Sequence, residues 1–381
     1  MVTLLVAGDL CPIRRNRDSF IKGDVSTLFN DLLTEFQEAD LSIANLESPL
    51  IQHENFVLKS GSHLGADPKA INGIKKSGIK VLNIGNNHIL DHGERGIETT
   101  LDVCKREKIF VVGAGKNLEG AGRCLEFKIE NMNIGILSFA EQECSIAARD
   151  SAGANPLDLI SYVRQMRSLK NRLDYLIVLL HGGKEHYPYP PPQLQRVCRF
   201  MVEEGANAVI CQHSHCPGAY EEYKNAHIVY GQGNFIFDAY PRVNDMWCRG
   251  YLVKFVIDKT KTCEMRIIPY VQSDNRIGAR RMKKEEEDIF IADLKKKSIN
   301  VEDTEFVQNE WNQFSKTFKN DYFSIFRGHN RVFRFINRFL GFSDWFYSKQ
   351  KLTVLQNIIR CESHREAILT MLENKIWQDM L

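Results

Sequence analysis

The sequence predicts an α/β protein with an α-helical C-terminal extension. Short apolar runs of strand length, rich in β-branched residues, each end in a polar cluster, and helical patterns separate several of them. Runs that are apolar throughout suit strands buried on both faces of a parallel or mixed sheet. The first, Val2-Thr3-Leu4-Leu5-Val6-Ala7, leads into Gly8-Asp9. A helical pattern over 26–37 follows, then Leu41-Ser42-Ile43-Ala44 leading into Asn45-Leu46-Glu47. After a pattern at 68–77, Val81-Leu82-Asn83-Ile84 runs into Gly85-Asn86-Asn87-His88, with Asp91 and His92 behind. Patterns at 94–106 and 157–169 precede Tyr175-Leu176-Ile177-Val178-Leu179-Leu180. That run ends in His181-Gly182-Gly183, with Glu185 and His186 following. A helix at 193–204 precedes Ala208-Val209-Ile210 and the string Cys211-Gln212-His213-Ser214-His215-Cys216. Ile228-Val229-Tyr230 leads to Gly233-Asn234-Phe235. From Arg249 to Pro269, alternation at Tyr251, Val253, Phe255, Ile257, Met265 and Ile267 predicts a hairpin that closes the domain.

Open α/β sheets place their ligands beyond the carboxyl ends of the strands, where these clusters fall. A strand ending in His213-x-His215 aims two imidazoles into that space, and such a pair can serve two adjacent metals. Alone, the pair also fits a loop histidine beside a capped core histidine. Five strand-end clusters of Asp, Glu, Asn and His, converging on one edge of one sheet, point to a metal site.

Taken in order, Gly8-Asp9, Asn45-Leu46-Glu47, Asn86-Asn87-His88-x-x-Asp91-x-Gly93, His181-x-Gly183-x-Glu185, His213-x-His215 and Gly233-Asn234-Phe235-x-Phe237-Asp238 carry a resemblance. Over about residues 1–270 the chain resembles the capsule-synthesis CapA family, poly-γ-glutamate-synthesis relatives of the calcineurin-like metallophosphoesterases. The resemblance implies a four-layer α/β/β/α sandwich with a two-metal centre between the sheets. It implies Asp9, Glu47, Asn87, His181, His213 and His215 as ligands, with Glu47 where the superfamily usually has a bridging aspartate. It implies His88 as the proton donor. Asn45, Glu185, His186 and Asn234 are the candidate substrate-binding residues, Asn234 orienting a ligand or substrate oxygen. One departure matters: where the superfamily's first motif is Asp-x-His, this chain has Asp9-Leu10-Cys11. Cys11 reads as a small buried residue rather than a thiolate ligand. One metal position is then left with Asp9, Glu47 and His215, against Glu47, Asn87, His181 and His213 at the other.

A mixed carboxylate, amide and imidazole set suits divalent Mn, Fe or Zn. Two ions ~3.5–4 Å apart can clamp a phosphoryl group and lower the pKa of a bridging water toward ~7. His88 would protonate the leaving oxygen, with Asp91 holding its imidazole in one tautomer. Asp91 could instead cap the helix starting near Gly93 or Glu94.

A chain of 381 residues can hold one large domain plus an appendage, here expected as 1–274 and 275–381. A net charge of +2 gives no global field for nucleic acid. Ten cysteines without a Cys-x-x-Cys pair suggest reduced thiols and a cytoplasmic location. A first strand beginning at Val2 leaves no room for a signal peptide, and no apolar stretch of about 20 residues suggests a spanning helix. Gly113-Ala114-Gly115 with Gly120 and Gly122 matches no dinucleotide or P-loop spacing and reads as a tight connection. Ser138 and Ser214 lack a nucleophile elbow. Pro188, Pro190, Pro191 and Pro192 stiffen the loop beyond His181. That loop either bounds the substrate cleft, with Tyr187 and Tyr189 as walls, or is a rigid connection.

The mixed charges from Arg280 to Glu287 read as a solvated helix or linker, and 301–381 reads as helical throughout. Arg327, Arg331, Arg334 and Arg338 step by four, three and four along a helix over 323–346, with Phe326, Phe333, Phe335 and Phe339 crowding the rest. Such a helix suits peripheral docking at an anionic membrane or a partner, or packs with a solvated arginine face. Two function classes remain. One is a metal-dependent phosphoesterase-like hydrolase acting on a phosphorylated or polymer intermediate of capsule formation. The other is a non-catalytic component of a capsule-synthesis complex. The retained histidines favour the first, and the missing first-motif histidine favours a specialised or weakened site.

Overall fold

The computed structural model describes residues 1–378 except 170–171, 242–243, 259, 261 and 341–346, with the side chains of 338, 362 and 373–378 also outside the description. It divides into two compact units, Met1–Gln308 and Asn309–Leu381.

The first unit is built on two mixed sheets. In the eight-stranded sheet, Val2–Cys11 lies parallel to Leu41–Leu46, which continues through Val81–Asn83 to Phe110–Val112. On its other side Arg249–Ile257, Cys263–Gln272 and Ala279–Arg281 follow in antiparallel order, and Asn234–Phe237 pairs in parallel with the end of Val2–Cys11. The six-stranded sheet has Met132–Ala140, Tyr175–His181, Ala208–Gln212 and Ala226–Val229 in parallel at its centre, with Leu125–Ile129 and Tyr220–Tyr223 antiparallel at the edges.

Because successive strand residues point to opposite faces, each central strand feeds two cores. Val2, Leu4 and Val6 share a cluster with Ile134, Ile136, Ile177, Leu179 and Ile210 between the sheets. Leu5, Ala7 and Leu10 instead share one with Phe20, Phe36, Ile74 and Ile97 under an outer helical layer. Leu176, Val178 and Leu180 pack with Tyr162, Cys198 and Met201 under the opposite helices. Helix, sheet, sheet, helix is the expected four-layer order. It does correct one expectation. The strand-end clusters do not share one sheet: those of Asp9, Glu47 and His88 leave the eight-stranded sheet, and those of His181 and His213 leave the six-stranded one.

Helices occur near the expected positions, at Ile71–Ser77, Gly93–Arg106, Leu159–Leu169 and Pro192–Glu203. The pattern at 26–37 is broken at Asn30, whose φ of 45° ends Val25–Phe29 before Leu33–Glu38 begins. The hairpin does pair as expected, Val253 opposite Ile267, but it does not close the domain. Part of the charged run is the strand Ala279–Arg281, and the helix Lys284–Glu302 sends Phe290 and Leu294 into the inter-sheet core. Val301 and Val307 fill the opposite core. The boundary therefore lies at 308, not 274. Sequence pattern missed it because apolar positions are sparse on a helix that buries only one narrow stripe.

Burying these four side chains contributes on the order of 6–12 kcal/mol, comparable to a domain's whole net stability of ~5–15 kcal/mol. A chain ending at residue 274 is expected to aggregate, whereas one ending at 308 should keep a cooperative thermal transition. A folded 274-residue product would refute this placement of the helix.

The helix expected over 323–346 is two helices, Lys319–Phe326 and Arg331–Leu340, with Gly328 at φ 69° between them and 341–346 outside the described residues. Arg327 is the C-cap of the first and lies over the Tyr347 ring, so the four arginines do not form one stripe. Among the described residues no helix is long and apolar enough to cross a membrane.

Candidate metal centre

The carboxyl ends of the parallel strands from both sheets meet at one place. Asp9 sits in register with Asn45 on one neighbouring strand and Asn234 on the other. A register irregularity falls between Val6 and Asp9, the kind of local bend that re-aims a side chain. The chain crosses itself closely here: a Cβ on Gly8 would lie 2.0 Å from the Gly233 carbonyl oxygen, so only glycine fits. On the facing sheet His181 ends its strand opposite Gln212. His213 and His215 then take φ values of 102° and 53°, a conformation costing non-glycine residues roughly 1–3 kcal/mol each. Two such residues in one tripeptide mark a turn held for its side chains.

The polar groups converge over short distances. Asn87 Oδ1 and His213 Nδ1 lie 3.1 and 3.2 Å from His181 Nε2. Glu47 Oε1 lies between the histidines, 3.6 Å from His181 Nε2 and 3.7 Å from His215 Nε2. His215 Nδ1 is 3.6 Å from Asp9 Oδ2. Glu47, His213 and His215 thus form a buried group whose donor atoms lie within 4.8 Å of one another, a set that could hold a metal ion.

Electrostatics test that fit. Glu47 is fully buried, and neither carboxylate oxygen has a hydrogen-bond partner among the described residues. Burial first, then the neighbouring Asp9, Glu185, Glu143 and Asp91, push its pKa well above the ordinary carboxylate value. Burial likewise raises Asp9. It drives His181 far below the usual imidazole range, with His213, His215 and His88 adding to the effect, and it lowers His213 too. Neutral imidazoles are the ligating form. A buried carboxylate without donors is costly unless a cation compensates it. The residues present fit a divalent metal.

His88 is also buried, and its Nδ1 lies 2.7 Å from Asp91 Oδ2. Asp91 accepts further bonds from the Leu64 backbone N–H at 2.6 Å and from Lys59. It does not cap the helix Gly93–Arg106, whose N-cap is His92. Burial alone would raise Asp91, but its bonds to His88 and Lys59 outweigh that and hold it below the ordinary value. Asn45, expected to face substrate, and Asn234, expected to orient a ligand or a substrate oxygen, are both fully buried. The Asn45 amide donates to Asp9 Oδ1 at 2.7 Å and lies 3.2 Å from His181 Nδ1, while Asn234 Oδ1 lies 2.9 Å from His215 Nδ1. Glu185 and His186 are exposed, the His186 ring centroid 6.3 Å from that of His215. Cys11 is buried with its thiol pKa pushed up by burial, as expected of a packing residue. Tyr189 packs on Phe306 at 5.3 Å, so the proline-stiffened loop is tied to the domain's own core on that side.

Three neighbours escaped sequence reasoning. Glu143 accepts from Asn87 Nδ2 at 2.9 Å and lies 3.8 Å from His213 Nε2. It follows the run Ile134–Ala140, so the strand-end rule could have found it. Trp247 stacks beside His215, ring centroids 5.0 Å apart. Lys59, in a polar loop with no periodic signal, brings a 4 % exposed side chain onto the fully buried Asp91 carboxylate. Its Nζ also lies 3.3 Å from His88 Nδ1. Removing one partner of a buried ion pair typically costs ~3–5 kcal/mol, so Lys59→Met should lower unfolding stability by about 3 kcal/mol in urea titration. An unchanged midpoint would show that the pair is not closed in solution.

Comparison with known proteins adds the family. The bacterial capsule synthesis protein PGA_cap family profile matches residues 3–239. The capsule biosynthesis protein CapA of Bacillus anthracis is 24 % identical over 278 residues, 70 % of this chain and 67 % of that protein. The PGA biosynthesis protein CapA of Bacillus subtilis is 26 % identical over 239 residues, 61 % of this chain and 62 % of that one. The chain thus spans about two thirds of these relatives' length. Among solved structures, a novel phosphatase from Mycoplasma pneumoniae is 18 % identical, covering 71 % of this chain and 93 % of its own, with a TM-score of 0.46. Since the profile runs through every side chain of the centre from Asp9 to Asn234, this chain belongs to the bacterial capsule synthesis protein PGA_cap family.

Proposed function

We propose that this chain is a metal-dependent phosphoesterase-like hydrolase acting on a phosphorylated or polymer intermediate in capsule, surface-polysaccharide or poly-γ-glutamate formation. The observation that carries the reading is the Glu47 carboxylate, buried among three histidines and Asp9 with no donor among the described residues, next to the His88–Asp91 pair. Glu47, Asn87, His181 and His213 would hold one divalent ion, and Asp9, Glu47 and His215 a second, with Mn, Fe or Zn suited to such donors. Bound there, the metal supplies charge stabilisation at a phosphoryl oxygen.

The chain's own residues do the rest. Asp91 accepts from His88 Nδ1 and stabilises the imidazolium, whose Nε2–H would pass its proton to the departing oxygen and leave the neutral Nδ1–H form behind. Asn45 positions Asp9 and His181, and Asn234 positions His215, so both serve the centre rather than the substrate. Glu185, His186 and Trp247 bound the approach and would meet the substrate. A cytoplasmic location belongs to the same reading and is supported by ten cysteines scattered without a Cys-x-x-Cys pair.

The test is metal analysis of purified protein together with phosphate release from mono- and diester substrates under added Mn, Fe or Zn. Bound metal with turnover is the expected result. Metal without turnover across substrates would favour a second reading, a non-catalytic component of a polymer-synthesis complex. That reading is supported by the buried thiol of Cys11 where the superfamily has a histidine, and absence of bound metal would defeat the first reading outright.

A further inference from the structure

The helix Arg331–Leu340 is amphipathic in the wrong sense for a packed helix. Val332, Phe335, Ile336, Phe339 and Leu340 recur at i, i+3, i+4, i+7 and i+8, the spacing of a core-facing stripe. Yet they are 41–72 % exposed. The side turned toward the neighbouring helix carries Asn337, fully buried, whose amide donates to the Asn320 carbonyl at 3.1 Å and to Ser324 Oγ at 2.6 Å. On that neighbour, Lys319–Phe326, the side chains of Tyr322, Ile325 and Phe326 are also 47–52 % exposed. This two-helix hairpin places its polar contacts inside and its aromatic face outside, and among the described residues nothing covers that face.

Charge identifies the partner. Residues 319–340 hold Lys319, Arg327, Arg331, Arg334 and Arg338 against Asp321, five basic and one acidic, hence +4 in a chain whose total is +2. A ten-residue helix is only ~15 Å long, half of a ~30 Å hydrocarbon core, so it can lie in a bilayer interface but not cross it. An apolar face flanked by arginines is the composition of interfacial helices on anionic lipid. We propose that the hairpin 319–340 docks this protein reversibly on an anionic membrane surface, with Phe335 and Phe339 entering the headgroup layer and Arg331 and Arg334 pairing with lipid phosphates.

The test uses the full chain with vesicles of phosphatidylglycerol in phosphatidylcholine, against phosphatidylcholine alone, at low salt. Wild type should co-sediment with the anionic vesicles only and release in 1 M salt, where the screening length falls to ~3 Å. Replacing Arg331 and Arg334 by Gln should weaken partitioning about 25-fold, at about fivefold per charge. Phe335→Ser with Phe339→Ser should weaken it at least ~10-fold. Both double variants should keep wild-type circular dichroism and metal content, because no residue of the centre lies in this unit. Wild type that stays in the supernatant would overturn the proposal, as would vesicle binding equal in wild type and both variants. Dimerisation lost in the Phe variant, without vesicle binding, would also overturn it and make the face an interface between copies.

Discussion

His88→Ala is expected to lower phosphoester turnover by about 10²–10⁴-fold, the usual contribution of a positioned general acid, while bound metal stays at the wild-type level. The two readouts separate because His88 contacts Asp91 and Lys59 rather than Glu47 or the three other histidines. The loss should be largest on substrates with poor leaving groups, such as alkyl phosphates. Aryl esters, whose leaving oxygen needs little protonation, should suffer less. Asp91→Asn should fall between, since it keeps the side-chain shape but removes the charge that fixes the imidazole. A uniform loss on both substrate types would mean that His88 binds substrate instead, and unchanged turnover would remove it from the mechanism.

Glu47→Ala should abolish bound metal and, with it, metal-dependent stability. An ion that binds only the folded chain stabilises it by ~2.7 kcal/mol at a hundredfold excess over its Kd. Wild type should therefore melt higher when metal is added, and the variant should not respond. In chelator the difference should shrink or reverse. Removing two carboxylate oxygens that meet no donor among the described residues relieves a desolvation cost of a few kcal/mol, which offsets the lost packing. His213→Ala should also lose metal, but without that relief. Full metal content in a Glu47→Ala, His213→Ala double variant would refute the centre.

Much of the centre was legible from sequence, because strand runs and the polar residues that end them are local patterns. The clusters holding Asp9, Glu47, Asn87, His88, His181, His213 and His215 were identified that way, their individual roles came from the family resemblance, and they lie together in the structure. Asn45 and Asn234 were identified too: Asn234 meets His215, one of the two roles expected of it, whereas Asn45 meets Asp9 and His181. Chemistry alone did not tell whether an amide faces a ligand or braces one. Local pattern also misplaced the boundary at 274, since Phe290 and Leu294 lie in a charged helix whose buried stripe is too narrow to stand out.

What the sequence by itself determined was an α/β chain, the order of its elements and the polar clusters at the strand ends, each set by side-chain period and residue type within a few positions. Only the tertiary structure decided which sheet each strand joins, that Lys59 reaches Asp91 from a loop with no periodicity, and that the helix Arg331–Leu340 turns its apolar face outward. The physical reason is the same in each case. Sheet partnership, buried ion pairs and helix facing are settled by residues tens to hundreds of positions apart competing for the same buried space, and that competition leaves no mark on any one segment.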